Sequence, residues 1–187
     1  MNDNTIAEVI VTKELILNPV GVIKNDLPVP LLVAGDDGLK LNEAYGPACE
    51  KMNETSNRVS EIILADGFID LLDGVEEYSH IIVLYWGHEV SAAGRKLKKT
   101  HPAGLSDYPV KGIYATCSPA RPNPVLMTVV RLLERRGNRL FVSGLDAIDN
   151  SPVLDIKPYV PELLPHDGIF IADWMKKILK EFEEEKN

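Results

Sequence analysis

The chain has 187 residues, 45% of them hydrophobic, and its 28 acidic against 20 basic side chains leave a net charge of −8. That length fits one domain, with or without a terminal extension, and supplies a sizeable core. The charge argues mildly against a broad nucleic-acid surface, because affinity for polyanions comes mostly from lysine and arginine at phosphates. The longest apolar run, 81–87, is far short of the roughly 20 residues a membrane-spanning helix needs. Two cysteines, Cys49 and Cys117, are too few for a disulfide framework. The N-terminus has no basic n-region, so no secretory signal is expected and a reduced cytoplasmic setting is the default.

Residues 14–24 (ELILNPVGVIK) predict a strand interrupted at Asn18-Pro19. Pro28 and Pro30, followed by Gly35-Asp36-Asp37-Gly38, mark a long loop or hairpin. Residues 42–57 are polar and irregular, the segment expected to move most. Residues 60–64 form a short apolar strand, and 66–73 (DGFIDLLD) one or two helical turns ended by Gly74. The run 79–86 (SHIIVLYW) is β-branched, aromatic and apolar on both faces, which predicts a buried strand. A short strand over 112–116 leads into Ser118-Pro119-Ala120-Arg121-Pro122-Asn123-Pro124. Three prolines in six residues fix three φ angles and remove three backbone donors, so this is neither a helix interior nor a central strand. It is either an ordinary proline-rich turn or a stiffened loop that holds Arg121 and Asn123 for a purpose.

Strands over 125–134 and 139–147, joined through Arg135-Arg136-Gly137-Asn138, read as an antiparallel hairpin. A further strand over 153–156 is stopped by Pro158 and Pro161. Residues 169–186 bring Ile169, Ile171, Trp174, Ile178, Leu179 and Phe182 toward one face of an amphipathic helix. Short strands with frequent turns and no regular alternation with helices predict a mainly β protein, a small closed or partly closed barrel, over one domain with its core at about 15–165. No Gly-x-Gly occurs anywhere, so a dinucleotide-type fold has no support.

His88-Glu89 follows the buried strand, where side chains leave a barrel for a cleft. His88 either orients a ligand, acts as a base, or is a surface histidine. Asp146, Asp149 and Asp155 are three carboxylates in ten residues. They can bind ribose hydroxyls or a cation, or they form turns and ion pairs, and Asp149-Asn150-Ser151-Pro152 is a strong turn former on its own. Asp155, between Leu154 and Ile156, needs a partner. Cys117 is expected as a small buried thiol rather than a nucleophile. With four histidines and no CxxC or HExxH, no metal site is expected. Basic residues cluster at 95–99 with His101 beyond, and again at Arg131, Arg135, Arg136 and Arg139. Each is either a basic patch or a solvated face.

The segments NPVGVIKN (18–25), GVEEYSHIIVLYWGHE (74–89), SPARPNP (118–124) and GLDAIDNSPVLDIKPYVP (144–161), in this order, resemble the TsaA/TrmO family. These are S-adenosylmethionine-dependent methyltransferases built on a β-barrel. The resemblance implies a homodimer that binds S-adenosylmethionine near the subunit interface and methylates N6 of threonylcarbamoyladenosine beside the tRNA anticodon. It implies cofactor contacts at His88, Glu89, Cys117, Met127, Asp149, Asn150, Ser151 and Pro152, with Arg121 and Asn123 in the same pocket and Leu31 and Leu32 at the first loop. Asp149 is the candidate catalytic residue. Departures stand beside the match. The family usually has arginine at position 117, an arginine and glutamine at 31 and 32, RPNPIGLS where this chain has RPNPVLMT, and Asp-Gly-Thr-Pro at 149–152. The extra C-terminal domain of many bacterial members has no counterpart in these 187 residues. Two lost cations weaken the tRNA expectation and leave a small-molecule acceptor, a protein acceptor or a non-catalytic binding role open.

Overall fold

The computed structural model describes residues 15–29, 32–35, 38–41 and 58–184, with backbone alone for 32–35, 38–41 and 182–184. Ten strands are described: β1 (Gly21–Lys24), β2 (Leu32–Gly35), β3 (Gly38–Leu41), β4 (Val59–Leu64), β5 (His80–Trp86), β6 (Lys99–Thr100), β7 (Lys111–Gly112), β8 (Val125–Arg136), β9 (Arg139–Ser143) and β10 (Pro152–Pro158). Six of them close a barrel in the order β1-β10-β5-β8-β9-β4, antiparallel at every seam, and β2–β3 and β6–β7 form separate two-stranded ribbons. The expected mainly β barrel is thus present and closed.

Strand β5 shows how sequence builds the wall. Its residues alternate, with Ile81, Val83 and Tyr85 buried and Ile82, Leu84 and Trp86 half-buried. The run that is apolar on both faces therefore splits into a core face and an outer face, as the two-residue period of a strand demands. The core face meets Ile23, Ile62, Val130, Leu140, Val142 and Val153, each almost fully enclosed. Long β8 serves two neighbours in turn, pairing with β5 from Val125 to Arg131 and with β9 from Arg131 to Arg136. Arg136 pairs with Arg139, so the turn is the two residues Gly137-Asn138, with Gly137 at φ 60° in the first position that favours glycine. Asn138 then ties this hairpin to the end of β4 by donating to the Leu64 carbonyl oxygen at 2.7 Å.

Several sequence expectations shift. The first strand begins only at Gly21, after Pro19. The strand expected over 112–116 shrinks to β7, because the chain turns at once into a 3-10 turn over Ile113–Ala115, where Thr116 N–H and Oγ1 both bond the Ile113 carbonyl. Asp155 is not an acid trapped in an apolar strand. A bulge between Val153 and Asp155 resets the register and sets it opposite outward-facing Leu84, where Lys157 Nζ pairs with it at 2.6 Å. The C-terminal helix starts at Asp173 rather than 169, and Ile169 and Ile171 stay exposed in the segment before it. The first helical bonds run from Met175 and Lys176 N–H to the Ala172 carbonyl, and Asp173 suits the positive end of the helix dipole. The helix buries Ile178 and docks on the loop carrying Tyr108. The Tyr108 hydroxyl donates to Glu181, and Lys177 Nζ lies 5.3 Å from the Tyr108 ring centroid. Residues 42–57, with Cys49, and Leu31 lie outside the described residues.

Closure rests on four-residue β1, squeezed between β4 and β10. A Cβ on Gly21 would run into the Ile63 carbonyl oxygen and stand 3.0 Å from Leu64 Cα, so β1 can follow this path only without a side chain. Gly21→Ala is expected to lower unfolding stability by about 3 kcal/mol, the upper end of ordinary overpacking costs. Urea melts check this, and an unchanged midpoint would contradict the closure.

Candidate functional site

Three sequence-distant segments meet at the end of β5. The first is the strand exit, Gly87-His88-Glu89. Gly87 donates its N–H to the Pro124 carbonyl oxygen at 2.8 Å, and an added Cβ would lie only 3.3 Å from Pro124 Cβ and 3.1 Å from Val90 Cγ2. Glycine is needed here for the close approach of the proline loop. His88 comes next, about a quarter exposed. Its Nδ1 is 3.4 Å from Ser151 Oγ, and its Nε2 is 3.6 Å from Glu89 Oε1.

The second segment is the turn 149–152, which lies along the edge of β1. Asp149 N–H donates to the Leu27 carbonyl (2.7 Å), Asn150 N–H to Ile23 (2.9 Å), and Ile23 N–H to the Ser151 carbonyl (2.9 Å). Asn150 adopts φ 64°, a left-handed conformation asparagine tolerates better than most residues. The Asp149 carboxylate accepts from Asn25 N–H at 3.1 Å and from Asn150 Nδ2 at 2.7 Å, with Lys24 Nζ 3.6 Å away. The Asn25 N–H, and then Lys24, hold its carboxyl below the usual carboxylate range. Lys24 also donates to Asn150 Oδ1. Asn25 Nδ2 reaches the Ala147 carbonyl at 2.8 Å, so the segment leading into the turn is pinned as well. Buried Ser151 and half-buried Pro152, at the start of β10, finish the turn against the barrel.

The third segment is the proline loop. Its stiffness has an internal source besides proline. Arg121 turns its guanidinium back on its own loop, donating from Nε to the Ser118 carbonyl (2.8 Å) and from Nη2 to Thr116 (2.9 Å). Ser118 Oγ accepts from Ala120 N–H at 3.1 Å, and Pro124 is fully buried under Gly87. Arg121 Nη1 makes no bond among the described residues. Asn123 stands exposed on the loop. Cys117 is exposed too, which corrects the expectation of a buried thiol: the segment entering the loop runs over the surface.

The structure thus joins His88, Glu89 and Ser151 directly, with Pro152 following Ser151 into β10, and brings in the proline loop through Gly87 and Pro124. Asp149 and Asn150 face the β1 side of the turn. Met127 is 64% exposed on the outer wall, opposite Leu84. Leu32 is described only as backbone in β2. Lys24 and Asn25, which order the turn, went unassigned from sequence, although both close the NPVGVIKN segment.

The two basic clusters differ. Arg135 is bound to Asp73, Glu76 and the Leu72 carbonyl, Arg136 to Glu134, and Arg139 to Glu61, so that group is largely neutralised. In the other, Arg95 stacks 5.3 Å from the Trp86 ring centroid and donates to the Val90 carbonyl, while Lys96, Lys98 and Lys99 remain exposed. This exposed trio follows the His88 exit in sequence. It also adjoins the strand entering the proline loop, since Lys99 pairs with Gly112. Among the described residues, no group of three or more His, Cys, Asp or Glu side chains could hold a metal ion, and no helix is long and apolar enough to cross a membrane.

Comparison with known proteins gives the family. The family model of the tRNA-methyltransferase O N-terminal domain matches residues 48–163. An S-adenosyl-L-methionine-binding protein of Archaeoglobus fulgidus is 38% identical over 149 residues, 80% of this chain and 92% of its own length. A probable S-adenosyl-L-methionine-binding protein of Methanothermobacter thermautotrophicus is 39% identical over 150 residues, 80% of this chain and 93% of its own. A crystal structure of TrmO from Pseudomonas aeruginosa superposes with a TM-score of 0.59 at 25% identity, over 86% of this chain but only 62% of that one. The chain belongs to the TrmO family, that of the tRNA-methyltransferase O N-terminal domain.

Proposed function

We propose that this chain binds S-adenosylmethionine at the end of β5 and transfers its methyl group to an adenosine in tRNA, N6 of threonylcarbamoyladenosine being the atom the family resemblance points to. The observation that carries the reading is the meeting of His88 with Ser151 while Gly87 receives the proline loop. This unites three segments otherwise separated by about thirty residues each. The names of the Archaeoglobus and Methanothermobacter relatives support the ligand, and the family description supports the acceptor.

The residues fit such a ligand. Arg121 offers Nη1 to a carboxylate, while Nε and Nη2 each donate to a carbonyl of its own loop, so the guanidinium is pre-oriented. His88 and Glu89 offer ring and carboxylate atoms to ribose or amine groups. Asp149, ionised and tied to β1, holds the turn that presents Ser151. S-adenosylmethionine supplies a methyl group already activated by positive charge on sulfur. The protein's task is alignment, which contributes about 7–11 kcal/mol in favourable cases and needs no protein nucleophile. Exposed Lys96, Lys98 and Lys99, which follow the His88 exit in sequence, give an otherwise acidic chain a local seat for phosphates. The resemblance implies a homodimer, and the outer wall supports it, with Met127 and Val129 exposed next to half-buried Leu84 and Ile82.

Three outcomes test this reading. In calorimetry the parent chain binds S-adenosylmethionine, and His88→Ala and Arg121→Ala each weaken binding at least about tenfold, the loss expected for charge-assisted hydrogen bonds. Parent-like binding in both variants would remove these roles. Methyl transfer to total tRNA falls steeply with salt. Replacing Lys96, Lys98 and Lys99 by glutamine reduces that salt slope by about 2–3 units if each contacts a phosphate. Transfer to small metabolites with no salt dependence would favour the other acceptor class. Asp149 has a lowered folded-state pKa, so its stabilisation is present above the unfolded value of about 4 and fades as pH falls through the folded value. Asp149→Asn therefore lowers the melting temperature at neutral pH, and the gap closes in acid. A gap that persists unchanged at low pH would contradict the ionic anchoring.

A further inference from the structure

The three carboxylates of the 144–161 segment have different fates. Asp149 spends both oxygens on the turn and Lys24, and Asp155 spends its own on Ile156 N–H and Lys157. The Asp146 carboxylate makes no hydrogen bond or ion pair among the described residues. Its position is nevertheless constrained. The Tyr85 hydroxyl donates to the Asp146 backbone carbonyl, and Tyr85 is itself held within 3.3 Å of Thr128 Oγ1. Leu145 and Ala147 on either side are 1% and 5% exposed. Ala147 is also gripped by Asn25. Asp146 retains solvent exposure, yet desolvation by surrounding protein raises its carboxyl above the usual range. Tyr85, the titratable group packed against it from β5, is pushed upward by burial first and then by the Asp146 charge, so it stays a neutral donor. Tyr85 pairs with Val153. Asp146 is thus anchored on the strand pair whose ends carry His88 and Ser151.

We propose that Asp146 is the catalytic base of the methyl transfer, its free carboxylate taking the proton from the acceptor nitrogen. The inference rests on the methyltransferase reading above. As the acceptor nitrogen forms its bond to the methyl carbon, the carbon–sulfur bond breaks with its electron pair going to sulfur. The N–H proton passes to an Asp146 oxygen and from there to water, which restores the carboxylate. No oxidant, metal or protein nucleophile is needed. A carboxylate that no cation or donor among the described residues holds in its ionised form is free to accept a proton. Because Asp149 keeps its charge for the turn, the two neighbouring acids divide the work.

The test is Asp146→Asn in the full chain, assayed with methyl-labelled S-adenosylmethionine and total tRNA. A lost base lowers the transfer rate by about 10²–10⁴-fold, with S-adenosylmethionine affinity unchanged by calorimetry, and removes the acid limb of the parent's pH–rate profile. A second readout needs no activity. The Asp146 pKa is raised in the folded chain, so its ionisation opposes folding above that value and ceases to as pH falls toward the unfolded value. Asp146→Asn therefore raises the melting temperature at neutral pH, and the gain vanishes below about pH 4. Transfer by the variant within about threefold of the parent overturns the role, far short of the loss a base produces. So does a variant that loses stability and cofactor affinity together, which would make Asp146 a structural anchor. A parent chain that binds S-adenosylmethionine but methylates nothing overturns the methyltransferase reading itself, and this inference with it.

Discussion

The contact on which the site depends is between backbones: the edge of β1 grips the turn 149–151. Three amide bonds, Ile23 to Ser151, Asn150 to Ile23 and Asp149 to Leu27, extend the four-residue strand beyond its ladder with β10. Without them the turn would be a free loop and Ser151 would have no fixed place beside His88. A buried backbone group left unpaired costs free energy comparable to a lost hydrogen bond, so the register of β1 and the position of the turn are set together. Lys24, Asn25 and Asp149 lock the same junction through side chains. The first strand of the barrel and the last polar turn of the family segment therefore form one unit.

A closed barrel explains why such a site is stable enough to be held open. All six strands find partners on both edges, so no edge remains for unwanted pairing, and the core face is continuous around the ring. The strand ends are then free to differ. At β5, Gly87 has no side chain, which admits Pro124, and Arg121 stiffens the loop from inside. Rigid wall, small residue at the rim and braced loop together produce a fixed edge for polar groups, the preorganisation that alignment of two reactants requires.

Much of this was legible in the residues, and for physical reasons. The β-branched and aromatic run of β5 and the Gly137-Asn138 turn are local signals, and both appear where local preference puts them. The prolines around β10 bound it to within two residues. Closure was less legible, because β1 is too short to show a period and its pairing with β4 is nonlocal. The bulge that turns Asp155 outward also depends on a neighbour strand. Side-chain fates were least legible of all. Arg121 braces its own loop, Cys117 is exposed, and Asp149 is spoken for while Asp146 is not. Each outcome is decided by which backbone atoms arrive from elsewhere, and spacing along the chain carries no record of that.

We propose that one rim, built from the β5 exit, the proline loop and the 149–152 turn, receives the methyl donor. The most direct measurement is titration of isotope-labelled chain with S-adenosylhomocysteine, followed by backbone amide shifts. The largest shifts are expected together on Gly87 to Glu89, Cys117 to Asn123 and Asn150 to Ser151. Shifts confined to Ser79, Arg131 and Ser143 at the opposite strand ends, or none at saturating ligand, would contradict it.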